Sequence, residues 1–338
     1  MNLNGEVVLS KEEAKLGVKN KTVTITGGTL NLSEISELQL LGNVIFEDMT
    51  LVVDSNSIYA NGNELVVSED VTFDGTVDAI YGGGKSNATW STNLTLLSGN
   101  YKEIYGGSNS GIIFGDTLVV VGGEVNADID VADHNLKNRV YGGGYNDLIN
   151  GNTYVTIKDS AQTSVVYGGG NGTDSNVQGT CHVNVTGGNV MGYYGGSYQG
   201  TVCNTVVNMT AGKAEQIFGG CELASMTGNV DVTITGGTIS RRIYGGCYNE
   251  YTDGGWKSSH HINGNVYLTI GPNANINYSS TESDRGVFGG SRYKSGFSDE
   301  KVTLILLDGC KDVSGRDSSD WKGIVLGSPK KYDKLEQK

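Results

Sequence analysis

One short segment recurs along most of this sequence: an apolar residue, an aromatic residue and two glycines. Eight copies lie between Ile80 and Gly290, and their aromatic residues are Tyr81, Tyr105, Tyr141, Tyr167, Tyr194, Phe218, Tyr244 and Phe288. Successive aromatic residues are 24 to 27 residues apart in five of the seven steps, and 36 and 44 apart in the other two. A fixed period of roughly 20 to 50 residues is the signature of a solenoid, a propeller or another array. One elongated repeat domain is therefore predicted.

Each repeat contains two recognisable strands and a variable segment. The first strand is rich in β-branched residues, as in 183–186 (VNVT) and 232–235 (VTIT), and the second carries the aromatic-Gly-Gly copy. Three short strands in a period of about 25 residues suit one coil of a parallel β-helix, whereas a propeller blade needs about 40 residues and antiparallel hairpins. The predicted fold class is all-β: a right-handed parallel β-helix, or solenoid, of about 25 residues per coil.

Glycine accounts for 52 of the 338 residues and proline for only two. This composition excludes a proline-rich linker. It predicts many tight turns in which glycine adopts a positive φ.

The repeats resemble those of right-handed parallel β-helix proteins, the pectin-lyase-like group, and especially Gly-rich β-helical segments of bacterial surface proteins and adhesins. The resemblance runs from about Val23 to Leu326. It implies a secreted or cell-surface location. The group includes polysaccharide lyases, hydrolases, phage tailspikes and non-enzymatic adhesins, so the fold does not choose among these activities.

A single parallel β-helix domain is expected over 1–328, followed by a polar tail at 329–338. Within the domain we expect an N-terminal cap at 1–22, irregular opening coils at 23–76, the aromatic repeats at 77–290 and degenerate last coils at 291–328. Ser10 and Glu13 have the spacing of a capping box, which predicts a short N-terminal capping helix to about Leu16. Such a helix would cover the end of the stack.

The net charge of −13 argues against binding to nucleic acid or to an anionic membrane, because both reward clustered Lys and Arg. No apolar run approaches the length that spans a bilayer, so membrane insertion is not expected. No basic-then-apolar signal segment follows Met1, so the export signal is expected outside this sequence. A monomeric fragment of a larger protein is expected.

Five cysteines lack the spacing of a zinc site or of a disulfide framework. Cys221 and Cys247 occupy the same position of consecutive repeats. Adjacent parallel strands lie about 4.8 Å apart, which is within disulfide range. A pair of free, stacked thiols is the favoured interpretation, and a disulfide is the alternative.

The direction of the aromatic side chains has two interpretations. The residue before each of them is apolar and should face the core, so strict alternation turns the ring outward. Eight outward rings would form a ladder suited to stacking on sugars. Alternatively, the segment lies at a corner where both side chains turn inward. The presence of phenylalanine at two positions favours buried, stacked rings.

A second column follows four residues after each aromatic residue. Its members are Lys85, Asn109, Tyr145, Asn171, Tyr198, Glu222, Tyr248 and Arg292. Tyrosine returns at every second coil, which predicts a separation of about 10 Å, similar to a disaccharide unit of an extended glycan. The candidate ligand-binding residues are therefore Tyr145, Tyr198 and Tyr248, with Asn171 and Glu222 between them. The alternative is a set of exposed turn tyrosines without a ligand.

The first long insertion contains Asp128, Asp130 and Asp133. Calcium takes six to eight oxygen ligands, so these carboxylates are a candidate calcium site. Their spacing does not match an EF-hand loop. An acidic, solvated loop is the alternative.

The second long insertion contains Trp256, His260 and His261. Long loops on a rigid scaffold often carry binding sites. Trp256 is a candidate for stacking on a sugar, and either histidine has the pKa range of a general base. No partner carboxylate is fixed by the sequence, which favours a ligand-binding loop over a catalytic one.

The expected function is a non-catalytic extracellular binding or adhesion module for a polysaccharide or a host or cell-surface glycan, bound along the solenoid face. No cofactor is expected to be required, although calcium is possible. A structural spacer or stalk of a larger surface protein is the first alternative. A polysaccharide lyase or glycoside hydrolase is the second, but no acidic residue recurs on successive coils to supply the paired carboxylates of such enzymes.

Overall fold

The computed structural model describes residues 1–10, 13–126, 138–248, 251–252, 255–256, 260–276, 286–291, 302–307, 324–325 and 332–337. These residues form β-strands, turns and bends and no helix. The all-β prediction is confirmed. Within the described chain there is accordingly no helix that is long and apolar enough to cross a membrane.

The strands are short, except for two that continue around corners of the coil. In chain order they are β1 (Glu6–Val8), β2 (Glu13–Leu16), β3 (Thr22–Thr26), β4 (Thr29–Asn31), β5 (Glu37–Leu40), β6 (Asn43–Glu47), β7 (Met49–Val52), β8 (Ser57–Tyr59), β9 (Glu64–Val67), β10 (Val71–Asp74), β11 (Val77–Tyr81), β12 (Thr92–Leu96), β13 (Tyr101–Tyr105), β14 (Ile112–Ile113), β15 (Thr117–Val121), β16 (Arg139–Tyr141), β17 (Leu148–Ile149), β18 (Thr153–Ile157), β19 (Gln162–Tyr167), β20 (Asn176–Tyr194), β21 (Val202–Phe218), β22 (Val230–Ile234), β23 (Thr238–Tyr244), β24 (Tyr251–Thr252), β25 (Gly255–Trp256), β26 (Val266–Ile270), β27 (Asn275–Ile276), β28 (Gly286–Phe288), β29 (Val302–Leu306), β30 (Ile324–Val325) and β31 (Tyr332–Gln337).

The strands stack into a parallel β-solenoid of about nine turns, with about 25 residues per coil. One face, which we call the first sheet, consists of β3, β6, β9, β12, β15, β18, residues 181–185 of β20, residues 205–209 of β21, β22, β26, β29 and β31. A second face, the aromatic sheet, contains β8, β11, β13, β16, β19 and the last residues of β20, β21 and β23. Only β24 and β25 pair antiparallel among the described strands.

The predicted N-terminal capping helix is wrong. Residues Glu13–Leu16 form β2, which pairs in parallel with β5 (Glu37–Leu40). A single helical turn leaves most of its backbone groups unpaired, whereas a strand pairs its backbone with the next coil. The strand also buries Ala14 and packs Leu16 against the core, so tertiary pairing overrides the capping signal.

The interior of the solenoid is a continuous hydrophobic core. The apolar residue before each aromatic residue belongs to it, as expected, and adjacent coils align these positions in register: Ile58, Ile80, Ile104, Val140, Val166, Tyr193, Ile217, Ile243 and Val287. Full burial of such a side chain contributes about 1.5 to 3 kcal/mol. The solenoid is therefore held together along its whole length by contacts between neighbouring coils.

The first glycine of each aromatic copy is required for a reason that composition did not indicate. It does not adopt a positive φ, whereas other glycines, such as Gly99 and Gly188, do so, as the composition predicted. Instead, a Cβ built on Gly142 would lie 2.1 Å from the carbonyl oxygen of Gly168, and one built on Gly106 would lie 2.3 Å from that of Gly142. The close approach of stacked coils leaves no room for a side chain.

Cys221 and Cys247 are free thiols in adjacent coils, in agreement with the favoured interpretation. The backbone N–H of Cys221 donates to Sγ of Cys247 at 3.3 Å, and the N–H of Ser197 donates to Sγ of Cys221 at 3.4 Å. The N–H of Cys247 donates to Oγ of Ser291 at 3.0 Å. Each side chain thus satisfies a backbone donor of the preceding coil.

Candidate functional site

The aromatic residues of the repeats form one continuous stack, which we call the aromatic ladder. Neighbouring ring centroids are 4.3 to 5.1 Å apart, and their planes differ by at most 16°. The nine rings are Tyr59, Tyr81, Tyr105, Tyr141, Tyr167, Tyr194, Phe218, Tyr244 and Phe288. Tyr59 extends the series by one coil before the first sequence copy.

The aromatic ladder lies on the outer side of its sheet, yet it is buried. Ala79 and Val165, which stand two residues before a ring, pack in the same cluster, whereas the intervening Ile80 and Val166 pack in the core. Alternation therefore turns the rings outward, as the first interpretation required. Every ring is nevertheless buried, as the second required, so other side chains must cover the ladder.

The covering side chains come from the column predicted four residues after each ring. We call Lys85, Asn109, Tyr145, Asn171, Tyr198, Glu222 and Tyr248 the covering column. Consecutive members lie in consecutive coils, because the N–H of Asn171 donates to Gly144 O at 2.9 Å and the N–H of Tyr198 to Gly170 O at 2.9 Å. Tyrosine therefore does return at every second coil, at the spacing of about 10 Å that strand separation gives.

The three tyrosines of the covering column contact the aromatic ladder edge-on. Tyr145 meets Tyr105 at 6.3 Å and 88°, and Tyr198 meets Tyr167 at 5.8 Å and 63°. Tyr248 contacts Phe218 at 5.3 Å and 81°. Tyr145 remains 43% exposed, whereas Tyr198 and Tyr248 are half-buried. Edge-to-face contacts of this kind stabilise both partners.

The polar members of the covering column bind the hydroxyl groups of the ladder. Nδ2 of Asn171 donates to the hydroxyl of Tyr105 at 2.8 Å, and the hydroxyl of Tyr167 donates to Glu222. Burial, followed by the charge of Glu222, raises the pKa of Tyr167 well above its ordinary value. These tyrosines therefore remain protonated and act as hydrogen-bond donors at neutral pH.

A second set of polar residues, which we call the flanking column, stands two residues before the ring in four of the coils: Glu103, Arg139, Gln216 and Arg242. Tyr105 donates to Oε2 of Glu103 at 2.7 Å, and Nε of Arg242 donates to Oε1 of Gln216 at 2.9 Å. The guanidinium of Arg139 lies 5.7 Å from the ring centre of Tyr198. Sequence reasoning missed this column, although alternation by two residues from each ring places it on the same face.

The second insertion is described only in part. Trp256 ends β25, where it pairs with Tyr251 of β24. The backbone N–H of His261 donates to Oγ of Ser225 at 3.1 Å, which places the histidines at that turn. Burial, followed by the neighbouring His261, lowers the pKa of His260. The roles predicted for these three residues stay predictions.

The candidate calcium ligands Asp128, Asp130 and Asp133 lie outside the described residues, and their role stays a prediction. Across the described ranges, no group of three or more His, Cys, Asp or Glu side chains is arranged to hold a metal ion.

Comparison with family models, with curated proteins and with solved structures gave no match. The resemblance of the repeats to pectin-lyase-like proteins and to bacterial adhesins therefore stays a prediction. The features that bear on function are those of this chain alone: the aromatic ladder, its covering column and its flanking column.

Proposed function

We propose that this protein is a non-catalytic extracellular binding or adhesion module that binds a polysaccharide or a host or cell-surface glycan along its aromatic sheet. The observation that carries the proposal is the covering column. It sets Tyr145, Tyr198 and Tyr248 on every second coil, with Asn171 and Glu222 in the coils between them.

The spacing of the column suits a polymer with a repeating unit. Two coils advance about 10 Å along the solenoid, which is similar to the length of a disaccharide in an extended glycan. Tyrosine combines an apolar ring with a polar tip, and Asn171 and Glu222 supply hydrogen-bonding groups. A glycan lying along the axis would meet one tyrosine for each disaccharide.

Rigidity supports the same proposal. The covering tyrosines rest on stacked rings, and their backbones are paired with neighbouring coils. A binding surface that is ordered before the ligand arrives loses little conformational entropy on binding. The solenoid would thus present a preformed track.

The finer assignments belong to this proposal. We assign the coil a right-handed sense, because connections between parallel strands of one sheet are right-handed in about 98% of cases. We place the protein with pectin-lyase-like and Gly-rich adhesin solenoids, at the cell surface or secreted, on the repeat pattern alone.

A structural spacer is the second candidate, and one observation favours it. Tyr198 and Tyr248 are half-buried and have their ring edges against the aromatic ladder. Packing by itself accounts for such a covering column. A spacer would keep the ladder closed and would bind no glycan.

The two candidates are separated by a screen of the protein against arrayed glycans and against soluble neutral and acidic polysaccharides. Retention of a defined glycan supports the binding module. Retention of none supports the spacer. New reducing or unsaturated ends at enzymic rates would overturn both in favour of a lyase or hydrolase.

A further inference from the structure

A groove of about 190 Å³ opens on the outer surface where β20, β21 and β23 pass side by side. A β-bulge lies beside this groove. Ala214 pairs with Ile239 and Gln216 pairs with Arg242, so β23 has one residue more than β21 between these two pairs. An extra residue bends its strand and increases the local twist. The groove therefore lies where the regular pleat of the sheet is interrupted.

The apolar floor of this groove is the side chain of Met191. Val190 and Ala214 also line the groove. Val190 and Ala214 are buried and belong to the core, while Met191 is half-buried and packs against the cluster that contains the aromatic ladder. The groove is therefore rigid below and adjoins the face on which we propose that a glycan lies.

The rim of the groove is polar. Asn189, Lys213 and Thr238 stand side by side, because the register pairs Asn189 with Lys213 and Lys213 with Thr238. Glu215 and Ser240 line it as well. Together these residues supply an ammonium and an amide as donors, a carboxylate as an acceptor, and two hydroxyls that do both.

The charges of the rim cancel. Among the described residues, Lys213 and Glu215 form no ion pair with each other or with another side chain. Because the two charges offset each other, neither an anion nor a cation gains a net attraction from them, while a neutral ligand with several hydroxyls meets both a charged donor and a charged acceptor. Hydrogen bonds to charged groups are the stronger ones.

We propose that this groove binds one neutral pyranose unit. A pyranose has an apolar C–H face for the floor and hydroxyls around its edge for the rim. The volume equals that of roughly six water molecules and is below the range of about 300 to 1,000 Å³ typical of larger ligands, which limits the site to a single ring. If the groove is a subsite for one unit of a longer glycan, this inference rests on the proposed function. The groove itself is formed by residues outside the covering column.

The test uses the full protein labelled with ¹³C at its methionine methyl groups. Met191 lines the groove, whereas Met49, Met209 and Met226 are buried in the core and serve as internal references. Titration with D-glucose, D-galactose or D-mannose should shift the Met191 signal selectively, with a dissociation constant on the order of 1 to 10 mM. The Met191→Leu variant assigns that signal.

Three variants make the test specific. Ser240→Trp fills the groove from an exposed rim position and should abolish the shift. Lys213→Ala should weaken binding roughly tenfold, because it removes a charged donor. Lys15→Ala, at an exposed position of β2 far along the solenoid, is the matched control and should bind like the parent.

The outcomes separate the groove from the proposed function. Free hexoses that bind in the parent but not in Ser240→Trp support the groove, even if no polymer is retained. A polymer that binds equally to the parent and to Ser240→Trp, with no hexose effect on Met191, overturns the groove and leaves the proposed function standing. Equal hexose affinity in the parent, in Ser240→Trp and in Lys213→Ala also overturns the proposed hexose site in the groove.

Discussion

Nδ2 of Asn171 donates a hydrogen bond to the hydroxyl of Tyr105 at 2.8 Å, although 66 residues separate them in the chain. Asn171 belongs to the repeat of Tyr167, so its side chain reaches back over two coils. Glu222 does the same, because it accepts from Tyr167 while it follows Phe218. The covering column therefore ties together coils that are not direct neighbours.

The hydrogen bond between Asn171 and Tyr105 should be measurable as a coupling energy. Asn171→Ala is expected to cost about 1 to 2 kcal/mol of unfolding free energy, because both groups are buried and the hydroxyl of Tyr105 loses a partner. A double-mutant cycle with Tyr105→Phe, followed by denaturant unfolding, should give a coupling of about 1 kcal/mol. Strict additivity of the two changes would show that the bond contributes nothing.

Truncation of a ladder ring should be strongly destabilising. Tyr167→Ala removes a buried ring that stacks on Tyr141 at 5.0 Å and on Tyr194 at 5.1 Å. We expect a loss of about 3 to 5 kcal/mol, measured by thermal and denaturant unfolding. Tyr267→Ala, at an exposed position of the first sheet, is the control and should cost under about 1 kcal/mol. Equal costs for both variants would contradict the burial of the ladder.

The first glycine of an aromatic copy should not tolerate a methyl group. Gly142→Ala places Cβ against the carbonyl of Gly168, a backbone atom that cannot move without shifting a coil. We expect a loss of about 3 kcal/mol or more in unfolding free energy. Gly84→Ala is the matched comparison, since its Cβ would meet only the side-chain oxygen of Asn61 at 3.0 Å and atoms of Asn87 beyond. The prediction fails if the two variants are equally stable.

The stability of the protein should include a pH-dependent contribution from Asp147. Burial raises the pKa of this carboxyl from 3.8 to about 6, although it accepts hydrogen bonds from the backbone of Ser108 and Gly144 and from Ser175. Since the folded-state pKa is the higher one, this contribution is full below about pH 4 and is lost as the pH rises through about 6. Its size is about 3 kcal/mol.

The Asp147 contribution is isolated by comparing the parent with Asp147→Asn. The variant should be less stable overall, because an amide cannot accept from both backbone N–H groups. The difference in unfolding free energy between the two proteins should nevertheless change by about 3 kcal/mol from pH 4 to pH 7. A difference that stays constant over this range would show that Asp147 titrates normally.

The tyrosines of the covering column should contribute separately to glycan binding. Once a ligand is found, single Tyr145→Ala, Tyr198→Ala and Tyr248→Ala changes should each weaken it several-fold, and the effects should add because the residues are two coils apart. Tyr145→Ala should lower the melting temperature least, because its ring is 43% exposed, whereas the other two should lower it more because their rings are half-buried. Parent-like affinity in all three variants would leave the covering column with a packing role only.

Much of the solenoid was predictable because in a stack of coils each residue lies above its counterpart one period away. The positions of Ile80 and Ile104 in the core followed from their place before each ring, and the covering column followed from counting four residues onward. The sequence did not predict that β2 is a strand. The capping box at Ser10 and Glu13 is a local signal for a helix, whereas the strand depends on pairing with β5, which is more than 20 residues away.

The sequence by itself determined the period of this protein, its parallel β-solenoid class and the side of each strand that faces the core, because these depend on regular repetition and on the alternation of side chains. Only the tertiary structure decided that the outward rings are buried and that Asn171 reaches Tyr105. It also decided that the carbonyl of Gly168 leaves no room for a side chain at Gly142, and that a groove lies beside a bulge in β23. These features depend on the path of the turns and on the distance between stacked coils, and neither leaves a periodic signal in the sequence.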